Sequence, residues 1–144
     1  SGTLNVPGIV GFGKAAQLRI QVMEEESSRL EKLRDRLESA LLELPGVHHN
    51  GSIRHRLAHV SNLSFSGVEG EDLLLKVNQR IAVSSGSACT SISPKPSHVL
   101  QAMGVPSDLG RASLRFSLGK ETSSDCVENA VSWVKSVVEN LRNS

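Results

Sequence analysis

The chain has 144 residues, enough for one domain with a single core. Its 16 basic and 15 acidic residues give a formal net charge of +1, which supplies no electrostatic footprint for nucleic acid or an acidic membrane surface. Hydrophobic content of 38% and charged content of 22% fit a globular domain, with no apolar run near the ~20 residues of a membrane span.

The chain opens Ser1-Gly2-Thr3, with no initiator Met, and runs into Gly8, Gly11 and Gly13. That opening reads as a loop leading into a helix, and as the start of a fragment of something longer. From about Ile9 to Leu44 the pattern is helical: Leu30, Leu33, Leu37, Leu41 and Leu44 draw one apolar stripe. Glu24, Glu25 and Glu26 precede Arg29, Arg34 and Arg36, with Glu25 and Arg29 at i,i+4 spacing; the run reads as a solvated helix face. Pro45-Gly46 stops the helix. Val47 to Asn50 predicts a short strand ended by Asn50-Gly51, and Leu63-Ser64-Phe65 another. Leu73 to Val77 follow carboxylates that suit a helix start. Ile81-Ala82-Val83 reads as a short buried run, followed by the small-residue loop Ser84 to Ser91, which Pro94 and Pro96 end. Ser97 to Met103 predicts a short helix. Leu114, Phe116 and Leu118 alternate with Ser113, Arg115 and Ser117, so a strand there puts the first set on the core face and the second on the other. Thr122-Ser123-Ser124-Asp125 has the form of a capping box before the stripe Val127, Ala130, Val131, Val134, Val137, Val138 and Leu141. The whole reads as a two-layer α/β domain, helices packed on a small sheet.

Few residues carry candidate chemistry. Gly8 to Lys14 approaches the phosphate-loop pattern but ends on Ala15, which has no hydroxyl for magnesium, and no strand precedes it; the favoured reading is a glycine-loosened start of a helix. The five histidines, His48, His49, His55, His59 and His98, have no cysteine at ligand spacing, so a metal site is not expected and solvated surface histidines are. Cys89 and Cys126 make no disulfide framework and read as free thiols of a reducing compartment. Cys126 lies near a helix N-terminus, a place that lowers a thiol's pKa, but reads as inert and partly buried. Cys89 sits in a Ser/Gly loop that gives a nucleophile access and room; an incidental free cysteine is the other reading. Arg115, projecting from a strand, is either a bidentate carboxylate ligand or a plain surface arginine.

The stretch Ala82 to Ser91, with Ser85-Gly86-Ser87-Ala88-Cys89-Thr90 at its centre, resembles the active-site loop of the cysteine desulfurases of iron–sulfur cluster assembly. Ser97-His98-Val99-Leu100 through Gly104 and Leu114-Arg115-Phe116-Ser117-Leu118-Gly119 resemble the segments that follow there. Upstream, Asn50-Gly51, Asn62-Leu63-Ser64-Phe65, Val68-Glu69-Gly70-Glu71 and Ser1-Gly2-Thr3-Leu4 match as well. The resemblance covers nearly the whole chain, in order. It implies the C-terminal portion of a homodimeric, pyridoxal-phosphate-dependent enzyme of the aspartate-aminotransferase fold type and the class-V aminotransferase family. In those terms residues 1–46 are an opening loop and long linking helix, and 47–144 a small α/β domain with the Cys loop at 84–96.

The resemblance further implies that Cys89 is the thiolate that attacks the sulfur of cofactor-bound L-cysteine. Alanine leaves, and Cys89 carries a persulfide for an iron–sulfur scaffold or other acceptor protein. It implies that Arg115 binds the substrate carboxylate and that Thr3 reaches the cofactor phosphate of the neighbouring subunit. The family's Schiff-base lysine motif is absent: Lys14, Lys32, Lys76, Lys95, Lys120 and Lys135 all lie in other contexts, so the chain alone is expected to be inactive. Arg111 stands where similar members carry His, and Leu141-Arg142-Asn143-Ser144 stops short of the family's scaffold-binding tail. Two other readings stay open: a cofactor-free sulfur-relay or partner-docking module, and a selenocysteine lyase relative. The cytosol or an organelle matrix is the expected compartment.

Overall fold

The computed structural model describes residues 2–85 and 97–144. Helix α1 runs from Val6 to Leu42. The Asn5 side chain caps it by accepting from the Gly8 N–H at 3.1 Å, and Pro7 occupies its first turn, where no N–H is missed. Gly8, Gly11 and Gly13 therefore lie inside the helix, where the phosphate-loop likeness has no loop to act through. Gly46 ends the turn after α1 at φ +69°, a conformation glycine adopts without strain, and its carbonyl accepts from the Ser66 N–H at 2.8 Å.

Strands β1 (Val47–His49), β2 (Val60–Phe65), β3 (Ser84–Ser85) and β4 (Ser113–Ser117) form one antiparallel sheet in the order β1-β2-β4-β3. Helices α2 (Gly70–Val77), α3 (His98–Ala102), α4 (Ser107–Arg111) and α5 (Ser124–Arg142) complete the fold. One face of the sheet packs on α1 and α5. Leu37 and Leu41 from α1, Leu63 and Phe65 from β2, Leu114 and Phe116 from β4 and Val127, Val134 and Val138 from α5 form one core, which Leu73 and Val77 of α2 join. The apolar stripes expected for α1 and α5 are the faces buried here, and Leu114, Phe116 and Leu118 are buried as their alternation requires.

Several local expectations are corrected. Ile81 and Val83 are only half-buried and Ala82 is exposed, because this run lies at the sheet edge ahead of β3. Ser84-Ser85, expected in a loop, pairs with Leu114-Arg115 as an edge strand. Ser113 is buried although its strand parity puts it off the core face: α4, absent from the sequence reading, ends beside it, and its hydroxyl donates to the Gly110 carbonyl at 2.9 Å. Gly70 allows α2 to approach α4 there, since a Cβ would stand 2.1 Å from the Arg111 carbonyl oxygen. The α5 cap is Ser123, one residue later than the expected box; Thr122 instead accepts from the Gly119 N–H at 2.9 Å.

The charge run of α1 is not uniformly solvated. Arg34 is 2% exposed, donating to the Leu57 and Ala58 carbonyls at 3.0 and 3.2 Å, and Asp35 accepts from it at 2.6 Å. Arg29 reaches not to Glu25 but to the Thr122 and Lys120 carbonyls, both at 2.7 Å, so it stitches α1 to the turn before α5. Glu38 is buried too, and its carboxylate gathers Arg56, His49 and Ser61. His49, expected on the surface, is thus a partner inside that cluster. By contrast the first half of α1 is exposed and strongly apolar, with Ile9, Val10, Phe12 and Ile20 among its bare side chains.

Candidate functional site

The face of the sheet turned away from α1 and α5 is polar. Directly opposed residues of antiparallel strands project to the same side. The register sets Asn62 opposite Arg115 and Arg115 opposite Ser84, while the Asn50 N–H donates to the Asn62 carbonyl at 2.9 Å. Asn50, Asn62, Arg115 and Ser84 therefore stand in one line across four chain segments. In the neighbouring row Ser64 and Ser113 are buried; in this row Arg115 is exposed and the other three half-buried.

Arg115 is the best-placed group for an anionic ligand. Its Nη2 lies 3.5 Å from the Ser84 hydroxyl, and among the described residues no carboxylate pairs with it. A guanidinium mounted on a central strand, unneutralised and exposed, presents a planar fork that matches a carboxylate. The sequence reading placed Arg115 on this face, and it is there. Asn50, Asn62 and Ser84 were not read as site residues; only strand register makes them neighbours, although the Asn50-Gly51 turn and the Asn62 segment were both visible in the sequence.

Cys89 lies outside the described residues. Ser84, beside Arg115, comes five positions before it in the chain. Thr3 is exposed ahead of the α1 cap. The first deeply buried residue of α1 is Leu30, so at 1.5 Å per residue roughly 35 Å of helix separate Thr3 from the packed part of the fold. Within one chain Thr3 and Arg115 are thus not brought together.

Cys126 departs from its expected burial. It is exposed in the first turn of α5, where Ser123 Oγ accepts from its N–H at 3.2 Å and lies 3.3 Å from Sγ. Ser123, through its hydroxyl and then its backbone, holds the thiol below the ordinary cysteine value, while desolvation and the Asp125 charge act the other way. A cavity of about 160 Å³ beside it is walled by Leu37, Ile81, Val83, Phe116 and Leu118, with Ser117 and Thr122 adding polar atoms.

The described residues include no group of three His, Cys, Asp or Glu placed to hold a metal ion, and no helix is long and apolar enough to cross a membrane. Lys14 and Lys32 lie on α1, Lys76 on α2, and Lys120 in the turn before α5. Lys135 is paired with Glu43 at 2.8 Å, and Lys95 lies outside the described residues.

Comparison with known proteins gives this arrangement a family. The class-V aminotransferase family model matches residues 1–129. The chain is 49% identical over 144 residues to the cysteine desulfurase IscS of Methanosarcina thermophila, covering 99% of this chain and 36% of that protein. It is 50% identical over 145 residues to the cysteine desulfurase IscS of Anaeromyxobacter sp. strain Fw109-5, covering 99% of this chain and 35% of that one. Among solved structures, a NifS-like protein from Rickettsia africae superposes with a TM-score of 0.82 at 28% identity, over 96% of this chain and 36% of its own. The chain thus spans about a third of the length of the curated relatives it matches. With a match that reaches from Thr3 through the Arg115 strand into α5, the chain belongs to the class-V aminotransferase family.

Proposed function

We propose that this chain is the C-terminal part, linking helix and small domain, of a pyridoxal-phosphate-dependent cysteine desulfurase. The observation that carries the reading is Arg115: an exposed guanidinium with no carboxylate partner among the described residues, on a central strand next to the strand that precedes the Cys89 segment in the chain. The names of the relatives support the same reaction.

The residues of this chain fit part of a cofactor site. The Thr3 hydroxyl suits a phosphate oxygen, and Arg115 suits the carboxylate of an amino-acid substrate. The remaining contacts, a Schiff-base lysine included, fall to the rest of the enzyme. The cofactor, when bound, supplies the electron sink for bond cleavage at the amino acid.

Arg115 fixes one end of L-cysteine through its carboxylate, which orients the side chain toward the thiol of Cys89. The Cys89 thiolate forms an S–S bond with the substrate sulfur while the substrate C–S bond breaks, its electron pair staying with the carbon skeleton. Protonation of that skeleton gives alanine, and Cys89 keeps the sulfur as a persulfide for an iron–sulfur scaffold or other acceptor. Thr3, some 35 Å along α1 from the packed domain, serves the phosphate site of a second subunit in a homodimer. The compartment is the cytosol or an organelle matrix, where free thiols persist.

In the complete enzyme Cys89→Ser abolishes sulfide release from L-cysteine and leaves cofactor absorbance unchanged. Retained turnover in that variant overturns the role of Cys89.

A further inference from the structure

Three members of the polar row are joined in a way that bears on the ligand of Arg115. Asn50 Nδ2 donates to Asn62 Oδ1 at 2.7 Å and to Ser64 Oγ at 2.7 Å. A carboxamide has one acceptor oxygen and an NH2 group with two donors. Asn50 therefore occupies the acceptor side of Asn62 from the β1 flank. The Asn62 Nδ2 group has no protein partner among the described residues, and Asn62 is only half-buried. On the flank opposite β1 its neighbour by register is Arg115.

Opposed residues of an antiparallel pair stand about 5 Å apart at Cβ, within the span of one carboxylate and its two neighbours. A carboxylate has about four lone-pair sites, and an arginine fork fills two. An amide donor beside the fork fills a third. On its β1 flank the row borders a separate cavity of about 270 Å³, lined by Asn50 and Asn62 with Gly51, His55 and Arg56 and not by Arg115.

We propose that Asn62 is a second ligand of the substrate carboxylate, acting beside Arg115, and that Asn50 is a positioning residue that turns the Asn62 amide donor-outward. The inference rests on the reading of Arg115 as the carboxylate ligand. It assigns to this domain a two-part amino-acid clamp built on β2 and β4, with discrimination against ligands that lack a carboxylate.

The test uses the complete enzyme with Asn62→Ala, Asn62→Asp and Arg115→Lys. KM and kcat for L-cysteine, the Kd of L-alanine and the inhibition constant of cysteamine are measured together. Cysteamine carries the amine and thiol but no carboxylate. Asn62→Ala is expected to weaken L-alanine binding about tenfold, the size of one charge-assisted hydrogen bond, with the loss in L-cysteine turnover falling mainly on KM. Cysteamine inhibition stays unchanged. Asn62→Asp weakens L-alanine further, because it sets a negative charge against the ligand's own, and its near-identical shape decides the matter if the alanine variant does not fold. Unchanged L-alanine binding in the Asn62 variants alongside weakened binding in Arg115→Lys overturns the role of Asn62 and leaves Arg115 in place. Unchanged binding in all three overturns the reading of Arg115 itself. An equal loss for cysteamine in the Asn62 variants marks a general disturbance of the site and also overturns the proposal.

Discussion

Glu38 and Arg56 meet through a single nitrogen: Arg56 Nη1 lies 2.9 and 2.7 Å from the two carboxylate oxygens of Glu38. The pair joins the C-terminal end of α1 to the connection between β1 and β2, with little solvent around it. His49 Nε2 stands 2.9 Å from the same carboxylate, and the Ser61 hydroxyl donates to it at 3.3 Å. One carboxylate thus gathers side chains from β1, β2 and the connection between them.

Removing that carboxylate leaves a confined guanidinium with only the more exposed Asp35, 3.3 Å from its Nη2, as counter-charge. Glu38→Ala is expected to destabilise the fold by about 3 kcal/mol, the range for breaking one side of a buried ion pair. Glu38→Gln keeps part of the hydrogen bonding and costs less. Urea unfolding at neutral pH, followed by Trp133 fluorescence, measures both. Trp133 is the single tryptophan and is held in place by its Nε1 donating to the Val77 carbonyl at 3.1 Å and by Arg80 over its ring.

Gly70→Ala tests the close approach of α2 to α4. Alanine is ordinarily the better helix residue, by about 1 kcal/mol. Here its Cβ would overlap the Arg111 carbonyl oxygen, a backbone atom that cannot swing aside. The substitution is therefore expected to destabilise, by about 1–3 kcal/mol as for other overpacked contacts. A rise in unfolding midpoint would show that α4 yields.

Ser123→Ala has two separable readouts. The lost cap costs about 1 kcal/mol in unfolding free energy. Independently, the Cys126 thiol loses the Ser123 hydroxyl, the larger of the two Ser123 contributions that lower its pKa, and that pKa moves up. Only the thiolate is alkylated, so the rate rises as pH climbs through the thiol's pKa. With Ser123 present the rise comes at lower pH than for an ordinary cysteine; in the variant it shifts to higher pH and alkylation at neutral pH slows. Peptide mapping by mass spectrometry follows Cys126 apart from Cys89.

Adding pyridoxal phosphate and L-cysteine to this chain alone is expected to give neither alanine nor sulfide. Equimolar formation of both would mean that one of its own lysines completes the cofactor site.

What the sequence made legible was what period alone decides. Leu30 to Leu41, Val127 to Val138 and Leu114 to Leu118 each announce their buried face within one local window, and Arg115 follows from its strand parity. Arg34 was misread because charged residues on a helix ordinarily face water, and Glu38 was not singled out at all; their burial depends on Leu57, Ala58 and Arg56 arriving from a distant connection. The row around Arg115 was invisible for the same reason. Asn50, Asn62, Ser84 and Arg115 are far apart in the chain, and only strand register, a long-range property, aligns them. Ser84-Ser85 carries no strand pattern of its own, and its pairing comes from β4 alone.

Helix α1 has a mechanical consequence. Its buried residues all lie between Leu30 and Leu41, and Arg29 fastens it just before that stretch. The 24 residues from Val6 to Arg29 form a cantilever about 36 Å long at the usual helical rise. A tilt of about 10° at the clamped end moves the tip by about 6 Å over that length. Force applied near Asn5 reaches the sheet amplified as torque on the Arg34 and Glu38 fastenings, and small rotations of the domain sweep Thr3 through a wide arc.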